Sequence, residues 1–143
     1  MKGARLTVYL CGPIAGCTDN EAMDWRERIK DALPELNHLD PMRRDYRGQN
    51  TANRELAETI VENDLGDIDI SDVVLAFHPQ PSTGTDMEIF YAGYMKDCLV
   101  VTIIPKTAPI SPWVVVSSNY IVDSEEAAIV LLRNMAKRQV SNT

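Results

Sequence analysis

Short apolar runs alternate with longer amphipathic stretches along this chain. Arg5–Cys11 (RLTVYLC) has the length of a strand and runs into Gly12-Pro13. Val73–Phe77 (VVLAF) is apolar throughout and follows Ser71-Asp72, Leu99–Ile104 (LVVTII) is a third such run, and Ile121-Val122 is a shorter fourth. Runs that are apolar on both faces are strands of a sheet covered on two sides. Between them, Thr18–Leu33, Arg54–Ile68, Thr85–Lys96 and Ser124–Lys137 read as helices. The first opens on a Thr18-x-x-Glu21 capping box and stops before Pro34. Pro79–Gly84 and the stretch 105–112, which carries three prolines, are loops. Asn37–Asn53 is polar and rich in turn formers, and a loop of roughly that length in a compact domain is often functional. Strands alternating with helices predict an α/β fold: a central parallel sheet with helices on both faces. Ligands of such sheets bind beyond the carboxyl ends of the strands. Here those ends are Gly12-Pro13, His78–Gly84 and Pro105–Trp113.

The chain has 143 residues, which favours one domain spanning 1–143. There is no internal repeat and no low-complexity linker. Lys and Arg number 14 against 21 Asp and Glu, a net charge of −7. That balance argues against nucleic acid and membrane surfaces as partners, while a few local N–H and hydroxyl groups still suffice for one phosphate. Cys11, Cys17 and Cys98 form no CxxC pair, which points to reduced thiols in a cytoplasm. His38 and His78 are too far apart for the usual zinc spacings. No apolar run approaches the ~18 residues of a membrane span.

Asp64 lies in a stripe with Leu56, Ile60 and Ile68 on the second helix. An acid in an apolar stripe needs a partner or a task. It is either a helix-end acid that bonds a neighbouring loop or a functional group. Glu88 in PSTGTDMEIFYAG has two competing readings. Thr85-x-x-Glu88 is a capping box, yet the segment follows a strand end where an anion could meet a helix N-terminus. Ser82, Thr83 and Thr85 surround Gly84 with hydroxyls that fit turn chemistry as well. Arg43, Arg44 and Arg47 read as a solvated face or as a loop that covers a ligand. Cys11 and Cys98 read as inert core thiols, Tyr9 as a core tyrosine, and Met87, Phe90 and Met95 as core.

The segments YLCGPIAG, NDLGDIDISDVVLAF and QPSTGTDMEIFYAG, in this order, resemble the nucleoside 2-deoxyribosyltransferase family over about residues 6 to 113. The resemblance implies a flavodoxin-like (Rossmann-like) three-layer sandwich and a homodimer or higher oligomer with shared active sites. It places the family's nucleophilic carboxylate at Glu88, its proton-transferring acid at Asp64 and its positioning tyrosine at Tyr9. The turn after the first strand falls on Cys11, Gly12, Pro13 and Ile14, and Gly84 falls in the second substrate-binding turn. Members acting on free nucleosides carry an Asp six residues before the nucleophile, where this chain has Ser82. A carboxylate there would repel a 5′-phosphate, whereas a hydroxyl can donate to it. The branch that hydrolyses deoxynucleoside 5′-monophosphates has Ser at this place. Its second serine, lent by the neighbouring subunit, corresponds to Ser111 in PISPW.

The implied activity is cleavage or transfer at the N-glycosidic bond of (2′-deoxy)nucleoside 5′-monophosphates, with no metal or organic cofactor. Three alternatives stand beside it: base exchange on free deoxynucleosides, a nucleotide-binding module without turnover, and a flavodoxin-like interaction domain.

Overall fold

The computed structural model describes residues 5–141. They form a five-stranded parallel sheet in the order β2-β1-β3-β4-β5, comprising β1 (Thr7–Cys11), β2 (Asn37–Leu39), β3 (Val73–Phe77), β4 (Leu99–Ile103) and β5 (Tyr120–Val122). The helices are α1 (Asp19–Ala32), α2 (Arg54–Asp69), α3 (Thr83–Phe90), α4 (Pro112–Ser117) and α5 (Glu125–Ser141). This is the expected α/β sandwich with the flavodoxin-like strand order. No helix among the described residues is long and apolar enough to cross a membrane.

Alternation along β1 decides what each face sees. Val8 and Leu10 join Trp25 and Ile29 of α1, Leu33 just past its end, and Ala128 and Leu132 of α5 in one core. Tyr9 and Cys11 point the other way, into a core with Ile68 of α2, Ile89 of α3 and Val114 of α4. Complete burial of an aliphatic side chain such as Leu10 contributes about 1.5–3 kcal/mol. The strand order reverses between β1 and β3, because β2 lies on the opposite side of β1. This opens a crevice at their carboxyl ends.

Several elements differ from the sequence expectation. Asn37–Leu39 is an edge strand at the head of the predicted loop, and its pairing with β1 supplies what three residues lack in pattern. A 3-10 turn, Pro41–Arg43, follows it. The third helix begins at Thr83 rather than Thr85 and passes into a π-helical turn, Tyr91–Met95. Gly93 in that turn lies against α4, where a Cβ would stand 1.8 Å from the Ser117 carbonyl oxygen. Helix α4 was hidden by its β-branched run Val114–Val116, although Ser111-Pro112 is a cap followed by proline at the first helical position. Met87 and Met95, expected in the core, are 67% and 63% exposed, because this side of α3 faces outward.

Candidate active site

The β1 pleat directs Tyr9 and Cys11 at one side chain of α3. The Tyr9 hydroxyl donates to Glu88 Oε2 at 3.1 Å, and the Cys11 thiol donates to Glu88 Oε1 at 3.3 Å. Burial pushes the Glu88 carboxyl up to about 8, and the neighbouring Asp64 charge adds to this, while the Cys11 and Tyr9 bonds pull it back. Burial also raises Asp64 above the ordinary aspartate range, against the opposing pull of Arg44. Two like charges in so dry a place are costly, so the Asp64 charge makes Glu88 harder to ionise. Tyr9 and Cys11 keep their own protons, since burial and the Glu88 charge push both well up.

Above these groups opens a cavity of about 330 Å³. One wall is Ser82, Gly84 and Thr85 at the start of α3, and another is the turn Gly12–Gly16 after β1. No side chain caps the α3 N-terminus. Its first-turn N–H groups are therefore available to an anion. Ser82 Oγ accepts from the Thr85 hydroxyl at 3.1 Å, which leaves the Ser82 hydrogen to donate elsewhere. A Cβ on Gly84 would meet open space. At Gly12, by contrast, a Cβ would stand 2.6 Å from the Trp25 ring, so that turn needs its glycine.

The third wall comes from the loop after β2, with Pro41, Arg44, Tyr46, Arg47, Gln49 and Thr51 facing Ile60 and Asp64 of α2. Arg44 and Arg47 are partly withdrawn from solvent into this wall, whereas Arg43 stays exposed outside it. Arg43 clasps both oxygens of Asp67 at 2.9 and 2.8 Å. Arg44 reaches Asp67 at 2.7 Å and Asp64 at 3.4 Å. Arg47 binds Asp45 and Asp19, each at 2.8 Å. Carboxylates of α2 thus hold Arg43 and Arg44, while Arg47 is shared by the local Asp45 and by Asp19 of α1. Behind the walls, the wholly buried Arg26 donates to the carbonyls of Leu10 and Gly12 at 3.3 and 3.0 Å and lies 3.6 Å from Asp40. Asp40 in turn accepts from the Met42 N–H at 2.8 Å, so one ion pair braces both the β1 turn and the arginine loop. The sequence carried a signal for this: an arginine within the apolar stripe Ala22, Trp25, Ile29.

Tyr9, Gly12, Ile14, Asp64, Ser82, Gly84 and Glu88 thus all line one cavity. Cys11 is not an inert core thiol but touches Glu88 beneath it. Pro13 is buried behind the turn and does not line the cavity. Ser111 does not line it either, and its hydroxyl caps α4 by accepting from the Trp113 N–H at 3.2 Å. Glu88 is not the cap of α3. Because that helix starts two residues early, the Thr85-x-x-Glu88 signature lies inside it and the carboxyl turns to β1. Asp64 lies inside α2 rather than at its end, bonds the arginine loop through Arg44 at 3.4 Å and stands in the cavity wall. His78, buried at the end of β3, bonds Asp86 at 2.5 Å, and the other oxygen of Asp86 accepts from the Ser82 N–H at 3.3 Å.

Comparison with known proteins follows the same lines. Residues 8–131 match the family model described as nucleoside 2-deoxyribosyltransferase. No curated protein matches the chain. Among solved structures, a 2-deoxyribosyltransferase from Bacillus psychrosaccharolyticus is similar with a TM-score of 0.68 at 16% identity, covering 86% of this chain and 90% of that one. The CMP N-glycosidase BcmB of Clostridium botulinum gives 0.53 at 18% identity, covering 89% and 98%. A conserved protein from Enterococcus faecalis V583 gives 0.75 at 16% identity, covering 92% and 99%. At such identities these likenesses are likenesses of fold.

Proposed function

Because the chain belongs to the nucleoside 2-deoxyribosyltransferase family of enzymes, we propose that it cleaves or transfers at the N-glycosidic bond of (2′-deoxy)nucleoside 5′-monophosphates through a covalent glycosyl-Glu88 intermediate. The observation that carries this reading is the Glu88 carboxyl, held between Tyr9 and Cys11 with the Asp64 carboxyl beside it, at the floor of a cavity of about 330 Å³. A binding module has no need of two carboxyls side by side where the sugar would sit.

The chemistry follows from one proton shared by that pair. With the proton on Asp64, Glu88 is anionic and attacks the anomeric carbon. The C–N bond breaks, its electron pair leaves with the base, and the Asp64 proton passes to the departing nitrogen. Positive charge developing on the sugar is stabilised by the carboxylate, as in glycosidases. Water or a second base then attacks the same carbon. The ester C–O bond breaks, its electron pair returns to Glu88, and the attacking group gives its proton to Asp64. Burial tunes the acid, and Arg44 moderates it. Ser82 and the uncapped start of α3 suit a 5′-phosphate, since both donate hydrogen bonds.

The test is chromatography of free base released from a panel of nucleoside 5′-monophosphates and the matching nucleosides, with and without an acceptor base. Release from monophosphates, lost in Glu88→Ala, is the expected result. Base exchange on free nucleosides with little hydrolysis would replace it with the transferase reading. Tight nucleotide binding without release would make the chain a binding module.

A homodimer is part of this proposal. Tyr94, Met95, Trp113 and Val116 are 63–68% exposed on the surface formed by the π-helical turn and α4, and Phe90 stacks on Tyr94 and meets Trp113 edge-on. So large an apolar patch is suited to a second copy. Ser111 begins the same α4, where a partner's cavity could receive it. Trp113→Glu is expected to give a monomer in sedimentation with greatly reduced turnover. A fully active monomer would end the sharing.

A further inference from the structure

Cys11 ends β1 on the same face as Tyr9, two residues on, so the pleat aims both side chains at α3. It has no exposed surface, which rules it out as a substrate contact or a target of modification. Its sulfur lies 3.3 Å from Glu88 Oε1 and 3.7 Å from the Thr85 carbonyl oxygen. Tyr9 takes the other carboxyl oxygen, Oε2. We propose that Cys11 is a positioning residue for the nucleophile, whose thiol holds Oε1 of the ionised Glu88 and turns to the Thr85 carbonyl when that oxygen loses its charge. This rests on the reading of Glu88 as nucleophile.

The thiol has one hydrogen and two acceptors, so the charge on Glu88 decides between them. A charged acceptor outbids a carbonyl already engaged within a helix. When Glu88 becomes an ester or takes the shared proton, Oε1 weakens as an acceptor and the Thr85 carbonyl receives the S–H. The donor thus has a partner at every stage. A thiol is also a weak donor, so it fixes the carboxylate without quenching its nucleophilicity. Because burial and the Glu88 charge hold the thiol protonated, it does not become a competing anion. The groups facing Glu88 are Tyr9 and Cys11 from β1 and Asp64 from α2, with Arg44 behind Asp64, and Arg26 of α1 acts on Cys11. Of these, Asp64 is the acid that burial raises beside Glu88. Donors on Glu88 therefore bias the shared proton toward Asp64, which is the reactive arrangement.

The experiment compares wild type, Cys11→Ala and Cys11→Ser by pH–rate profile. It also uses carbon-13 NMR of the glutamate carboxyls, with Glu88→Gln assigning the resonance and an Asp64→Asn background isolating its titration. In Cys11→Ala, kcat is expected to fall about tenfold with little change in KM, the loss of one hydrogen bond to a charged group. The acidic limb of the profile and the Glu88 resonance should both move to higher pH. Cys11→Ser should restore both toward wild type. In wild type, the Cys11 S–H stretching band should shift to lower frequency as Glu88 ionises. An unmoved limb and an unmoved carboxyl titration in Cys11→Ala would overturn the proposal, even with a lower rate, since a mere packing defect gives that pattern. If Glu88→Gln keeps full turnover, the nucleophile reading fails instead, and the NMR titration still reports whether Cys11 holds the carboxyl.

Discussion

The starts of α1 and α3 carry the same signature, Thr-x-x-Glu, and use it in opposite ways. At α1, Thr18 Oγ1 accepts from the Glu21 N–H at 3.2 Å and Glu21 accepts from the Thr18 N–H at 2.9 Å. The box forms in solvent, and these bonds hold the Glu21 carboxyl below the usual range. At α3, Thr85 turns to Ser82 and Glu88 turns to Tyr9 and Cys11. That carboxyl is pushed up to about 8 by burial. A capping motif is a local offer. At α1 the Glu21 carboxyl bonds the Thr18 N–H, whereas β1 presents two donors under α3.

The comparison breaks most sharply in activity. Glu88→Gln is expected to lower base release by about 10³-fold or more, as loss of a nucleophile does. Glu21→Gln should leave the rate unchanged, and equal losses in both would deny that the two glutamates differ. Asp64→Asn should cost about 10²-fold, within the range of general acid catalysis. The loss should shrink for substrates whose base departs without protonation.

Stability should separate the pair with opposite signs. Glu88 titrates near 8 in the fold against 4.5 when unperturbed, so between these values the folded state binds more protons. Wild-type stability therefore falls as pH rises through that window. Glu88→Gln removes the burden and should be the more stable protein above about pH 8, by about 2 kcal/mol, with the gap closing toward acid. Glu21 is lowered instead, so its contribution is present above 4.5 and is lost as pH falls through its folded value. Thermal melts of Glu88→Gln and Glu21→Gln across pH should diverge accordingly, and parallel curves would contradict the assignment. The smallest effect is Thr18→Ala, expected to cost about 1 kcal/mol in a denaturant titration, as cap removal usually does.

Much of the fold was legible, because buried parallel strands announce themselves as unbroken apolar runs. Val73–Phe77 is β3 to the residue. The short edge strand β2 was not, since three residues, two of them polar, have no period of their own and exist through pairing with β1. Helix α4 was obscured by valines that favour strands in isolation. Within the site, the quoted segments pointed to Tyr9, Asp64, Ser82 and Glu88. The placing of the arginine loop was not legible, because Arg43 and Arg44 find their carboxylates on α2 and Arg47 finds one of its two on α1, 20 to 30 positions away. Ser111 was assigned to a subunit boundary that a single chain does not contain.

By itself, the sequence determined the longer elements and the two-sided parallel sheet they build, because apolar runs of strand length and amphipathic runs of helix length can be buried together in few ways. It also determined which acids were costly, since Asp64 sits in an apolar stripe whatever surrounds it. Only the tertiary structure decided what each acid does. Whether Glu88 caps its own helix or faces a cavity depends on where α3 starts and on what β1 holds beneath it. That is a contest between a local hydrogen bond and donors 77 and 79 residues away in the chain, which packing alone brings within reach.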